Sequence, residues 1–134
     1  MRPPFDEAWE KYILPLKDKQ IKTITGEINK IVEVNFKELT RISSEGHVSS
    51  IPIQIFRESF NNIVKHKKYT REQINLDYSN PKGDSKRGSS IIFAVLAMIP
   101  FFQATDKPIA SLLLDQEGYK KFWEEVKEKY GIDK

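Results

Sequence analysis

A chain of 134 residues has the length of one domain and can bury a core without covalent staples. It contains no cysteine, which excludes disulfides, thiol catalysis and every cysteine-ligated zinc or iron–sulfur site, and which fits a reducing, cytoplasmic setting. The net charge is only +3, and the longest apolar stretch, 91–102, is interrupted by Pro100 and falls short of the roughly 20 residues of a membrane-spanning helix, so no membrane partner is expected.

The opening "MRPPFDEAWEKYILPLKDK" lacks a cationic leader followed by an apolar run and does not read as a signal peptide. Its spacing predicts a helix over 6–17, with Phe5, Trp9, Tyr12, Ile13 and Leu16 on one face and Pro15 distorting the last turn. The β-branched stretch "QIKTITGEINKIVEVNF" predicts two strands joined by a tight turn at Gly26. In its second strand Val32, Val34 and Phe36 alternate with Glu33, Asn35 and Lys37, so half burial is expected. A third short strand is expected over 39–43, ended by "SEGH".

From Ser50 the period changes to that of a helix. Ser50 is placed to cap it with Pro52 in its first turn, and Ile55, Phe56, Phe60, Ile63 and Val64 form an apolar stripe to about residue 65. Thr70 opens a second helix, "TREQINLDY", in which Thr70 and Gln73 have capping-box spacing and Ile74 and Leu76 face inward. A polar insert, "SNPKGDSKRGSS", separates it from a third helix, "SIIFAVLAMI", apolar nearly all round and closed by Pro100, which must be a central core helix. "FFQAT", the turn "DKP" and "IASLLLD" predict a β-hairpin with Asp106 and Lys107 near its tip. A last amphipathic helix, "QEGYKKFWEEVKEKY", is expected to bury Tyr119, Phe122, Trp123, Val126 and Tyr130. Together these elements make one α+β domain over 1–134, with an N-terminal helix and small antiparallel sheet (1–48), a three-helix and hairpin part (50–115) and a C-terminal helix (116–134).

Charge is distributed less evenly than its sum suggests. Between Arg57 and Arg87 stand eight cations (Arg57, Lys65, Lys67, Lys68, Arg71, Lys82, Lys86, Arg87) against four anions (Glu58, Glu72, Asp77, Asp84). A local basic patch of this kind attracts polyanions even on a nearly neutral protein, although a solubilising surface has the same composition. Three short helices followed by a two-stranded wing, with "YTREQI" opening the second helix, resemble a winged helix-turn-helix DNA-binding domain, including the kind attached to restriction endonucleases. The resemblance covers about residues 50–115. It implies double-stranded DNA as the partner, with the third helix presented to the major groove and the wing and the second helix on phosphates.

Helix N-termini carry unpaired N–H donors and partial positive charge, so Lys86, Arg87, Gly88, Ser89 and Ser90 form one candidate phosphate seat and Lys67, Lys68, Thr70 and Arg71 a second. Two departures weaken direct base reading. The third helix has almost no polar side chain after Ser90, and the insert before it is far longer than a helix-turn-helix turn. Base readout then falls to the insert, to Ser79, Asn80, Lys82, Ser85, Lys86 and Arg87, with Lys107 of the wing on the backbone. The same fold used for protein contact, as an interaction module, is the competing reading, and a homodimer or a larger enzyme partner fits either one.

Catalysis finds little support. His47 and His66 lack a second ligand at helical spacing. Asp115 followed by "EVK" at 125–127 imitates the acid order of metal-dependent nucleases, but Glu125 falls on an amphipathic helix and not on an adjoining strand. No glycine-rich loop has Walker spacing. No enzyme activity, cofactor or metal is expected.

Overall fold

The structure, a computed structural model, describes residues 3–23, 26–70, 72–74, 89–105 and 110–131, with backbone alone at 89 and 90. The chain starts with α1 (Pro4–Ala8), where Pro4 takes the first helical position at no loss because that N–H has no partner anyway. A π-helical turn, Trp9–Ile13, and a 3₁₀ turn, Leu14–Leu16, continue it. Pro15 has no N–H to return to the Lys11 carbonyl, and the Leu14 N–H reaches back five residues to the Trp9 carbonyl. The expected distortion at Pro15 is therefore present, and it spreads upstream over two turns. Phe5 and Trp9 lie on the core face.

Four strands follow: β1 (Gln20–Lys22), β2 (Ile28–Val34), β3 (Glu38–Ile42) and β4 (Val48–Pro52). They pair antiparallel in chain order as a meander. Gly26, at φ 93°, turns β1 into β2 in the left-handed region that glycine enters without steric penalty. The simple alternation expected of β2 is corrected by a register shift between Ile31 and Glu33. That irregularity brings Ile31 and Val34 inward, leaves Val32 half-buried, and puts Phe36 in the following turn at 47% exposed. In that turn the Asn35 side-chain oxygen accepts from the N–H groups of Lys37 and Glu38.

Helix α2 (Ile53–His66) begins after a strand, so Ser50 does not cap it. Ser50 lies in β4 opposite Thr40, their hydroxyls 2.7 Å apart, and Pro52 is the residue at which strand becomes helix. Polar alternation over 48–52 was hidden by the proline and serines that also open helices. Phe56, Phe60 and Ile63 of α2 are buried against Phe5 and Trp9, with ring centroids 5.1 Å apart for Trp9 and Phe56 and 5.4 Å for Phe5 and Phe60. Lys67 ends α2 at φ 68°.

The chain next forms β5 (Lys68–Thr70), a strand where a helix-to-helix connection is expected. The backbone is helical at 72–74, and α3 (Ser89–Leu96), β6 (Phe102–Thr105), β7 (Ser111–Leu114) and α4 (Gln116–Lys129) complete the described elements. β7 lies in the middle of a second antiparallel sheet, in the order β5-β7-β6. The α2-to-β7 region is thus helix, strand, helical turn, helix and hairpin, with the first strand paired to the last.

α3 is the centre of the molecule. Ile91 through Leu96 are all buried, as an all-round apolar helix requires. The helix is shorter than the expected 89–99: the N–H groups of Met98 and Ile99 bond three residues back, tightening the chain into the turn before Pro100 and leaving Met98 47% exposed. α3 packs on α2 from one side and on β1 from another. The buried apolar residues form one cluster from Phe5 to Val126 that draws on both sheets and all four helices.

α4 is capped by Asp115, whose side-chain oxygen accepts the Gly118 N–H at 3.1 Å. A Cβ on Gly118 would stand 2.7 Å from that carboxylate. Phe122 and Val126 are buried and Tyr119 and Trp123 pack partly against the core, but Tyr130, expected inside, is 39% exposed. Its ring lies past the end of α4, and only its hydroxyl reaches in, donating to Glu7 at 2.7 Å. Lys129 donates to the other oxygen of the same buried carboxylate at 3.1 Å, so α1 and the end of α4 are joined by charge-assisted bonds.

Candidate nucleic-acid interface

The basic run at 65–68 sits where α2 turns into β5. Lys65, His66, Lys67 and Lys68 are all exposed, and the turn is anchored by Tyr69, which is buried. The Tyr69 ring stacks near-parallel to His66 with centroids 6.3 Å apart, and its hydroxyl accepts from Asn62 at 3.1 Å. The Lys67 carbonyl accepts the Leu114 N–H at 2.9 Å, tying the turn to the end of the hairpin. Left-handed backbone at Lys67 reverses the chain within one residue, so consecutive cations project from a short corner, not along a helix.

Thr70 is half-buried and its capping role is as expected. The Thr70 N–H donates to the Gln73 side-chain oxygen at 2.8 Å, and the Gln73 N–H donates to the Thr70 hydroxyl at 3.0 Å, a reciprocal capping box. That hydroxyl is therefore committed to the helix start and is a poor phosphate ligand. Thr70 is directly opposite Ser111, which puts the start of the second helix and the tip end of the hairpin at one end of the three-stranded sheet. Arg71, Lys82, Ser85, Lys86, Arg87 and Lys107 lie outside the described residues, as do the insert residues Ser79 and Asn80, Leu76, and Asp106 of the expected tip.

Of the eight cations counted in the sequence, Arg57 is used elsewhere. Its guanidinium stands 3.4 Å from the Asp6 carboxylate and 5.2 Å over the Phe5 ring, fixing α1 on α2. Lys65 joins the exposed corner although sequence reasoning did not select it; its place at the last turn of α2, next to Lys67 and Lys68, was the available signal. α3 is arranged unlike a groove-reading helix: its residues 91–96 are buried, packed on α2 and on β1 of the N-terminal sheet.

The nuclease-like order of acids resolves differently. Asp115 is a helix cap, and Glu125 faces Lys11 at 3.6 Å on the exposed side of α4. Among the described residues no three His, Asp or Glu side chains converge as a metal site, and no helix is long and apolar enough to cross a membrane. No family model, no curated protein and no solved structure matches this chain.

Proposed function

We propose that this chain binds double-stranded DNA through the basic corner at Lys65, Lys67 and Lys68, as a small regulator or as the recognition domain of a larger nucleic-acid enzyme such as a restriction endonuclease. The observation that carries the reading is the run of four consecutive exposed residues of basic type at the turn from α2 into β5, beside a three-stranded sheet whose order, β5-β7-β6, is compatible with the winged helix that the sequence resembles. Because α3 is enclosed, the contacts that this arrangement supports are to phosphates, and base discrimination falls to the chain between 75 and 88. The role is one of binding, not catalysis.

Each phosphate contact releases condensed counterions, so affinity for duplex DNA should fall steeply with salt. The test is a salt series of duplex affinities for the parent and for Lys67→Ala/Lys68→Ala. The double variant should lower the salt slope by about 2 and weaken arbitrary and selected duplexes alike. Undetectable binding at low salt, or an unchanged slope, rejects the reading.

A specific observation favours a second one. Enclosure of α3 by β1 removes the surface that a groove-reading helix uses, which is what a winged fold devoted to protein contact would show. Failure to retard any duplex, with the fold intact, selects it.

A further inference from the structure

Along one side of α3 runs an open groove of about 600 Å³. Its floor is Ala94, Ala97 and Met98; one wall is β1 and the other is β6. Residues 20, 21, 22 and 23 all line it, four in succession. A strand shows only alternate residues to a cavity on its face, so a run of four means that the groove lies beside the edge of β1. Among the described residues β1 ends the order of its sheet and β6 ends the order of the other, so two sheet edges flank one apolar floor.

The hydrogen-bond phase of β1 says which backbone groups face the groove. The Ile31 N–H donates to the Lys19 carbonyl and the Thr23 N–H to the Glu27 carbonyl, so the odd residues of β1 are those bonded to β2. The N–H and C=O of Gln20 and Lys22 therefore point away from β2, towards the groove. On β6 the Asp115 N–H donates to the Phe101 carbonyl, which by the same alternation turns the backbone groups of Ala104 away from β7. Lys22 is the sole charged residue among the described residues lining the groove. An edge with this pattern is a template for one more strand, and the charge beside it favours acids on that strand.

We infer that the groove between β1 and β6 receives an extended, acidic segment of a partner protein, which adds to the edge of β1 at Gln20 and Lys22 and lays its apolar side chains on Ala94, Ala97 and Met98. The site is separate from the basic corner and does not depend on DNA binding.

The experiment is fluorescence anisotropy of labelled short peptides alternating valine with glutamate, valine with lysine, and valine with glutamate but carrying a central proline. The glutamate peptide should bind at least roughly tenfold more tightly than the other two. Lys22→Pro removes an N–H that the β1–β2 ladder does not use and should abolish binding while the thermal transition is kept. Lys22→Glu keeps the backbone and should reverse the preference towards the lysine peptide, which carries the test if the proline variant does not fold. Equal affinity for acidic and basic peptides, no binding at millimolar peptide, or binding untouched by both variants overturns the proposal. So does a dimer of the parent that Lys22→Pro dissociates, since the groove would then belong to a second copy.

Discussion

Facing the core, the four-stranded sheet carries Asn29 and Arg41, with Ser49 beside them: the Arg41 guanidinium donates to the Asn29 side-chain oxygen at 2.6 Å and to the Ser49 hydroxyl at 2.8 Å. The helix-and-hairpin half turns six successive apolar residues of α3 inward and encloses them. The first interior adds directional bonds to its apolar side chains; the second is specified mainly by volume. Each half also buries one side-chain polar atom with no partner among the described residues, the Asn29 amide nitrogen in the first and the Ser59 hydroxyl of α2 in the second. Yet the two interiors meet, because Phe5 packs edge-to-face on Phe60 and Trp9 packs tilted on Phe56.

The widest test of that meeting is removal of residues 1–45. It uncovers Phe56 and Phe60, and we expect the remainder to lose its cooperative thermal transition; a shortened chain melting near the parent would show two independent units. Next comes the volume-specified core, where Leu96→Ala should cost roughly 2 to 5 kcal/mol by denaturant unfolding, through lost transfer energy and the cavity left behind. Arg41→Met tests the directional core. It strands the Asn29 oxygen as well as its nitrogen and should cost about 1 to 3 kcal/mol, less than the α3 substitution.

Two smaller effects sharpen the comparison at its edges. The hydrogen bond to Glu7, and then its charge, holds the Lys129 ammonium above the ordinary lysine value of 10.5, so the stability from this pair is present below that pH and is lost as pH rises through the raised value. Burial raises the Tyr119 phenol above 10.0, which acts in the same direction. An alkaline loss of stability is therefore expected, and Glu7→Gln should remove the lysine share of it and leave that of Tyr119, as read from melting temperatures between pH 9 and 12. Smallest of all, Lys67→Gly relieves left-handed backbone at φ 68° and should stabilise by under about 1 kcal/mol while reducing duplex affinity.

Periodicity made much of the architecture legible. The all-round apolarity of 91–96 announces a central helix, and the Thr70–Gln73 pair announces a helix start that the hydrogen bonds contain. Hidden features were those whose cause is not local. β5 is three residues long and exists because β7 is there to pair with it. β4 is written in serine and proline, residues that also open helices, and the buried face of β2 depends on a bulge that no alternation encodes. At the candidate site the cluster of lysines was readable, while the loss of Arg57 to Asp6 and the closing of α3 by β1 came from packing between distant segments.

The bonds from Glu7 to Lys129 and Tyr130 span 122 and 123 residues. A ribosome adding about 5 to 20 residues per second delivers Tyr130 roughly 6 to 25 s after Glu7. Throughout that interval Phe5 and Trp9 are without the last helix, and for its first seconds without Phe56. Newly made chains thus carry an aromatic segment before the residues that cover it exist, and the closing of this fold is timed by synthesis: α1 is made well before the helix that fastens it.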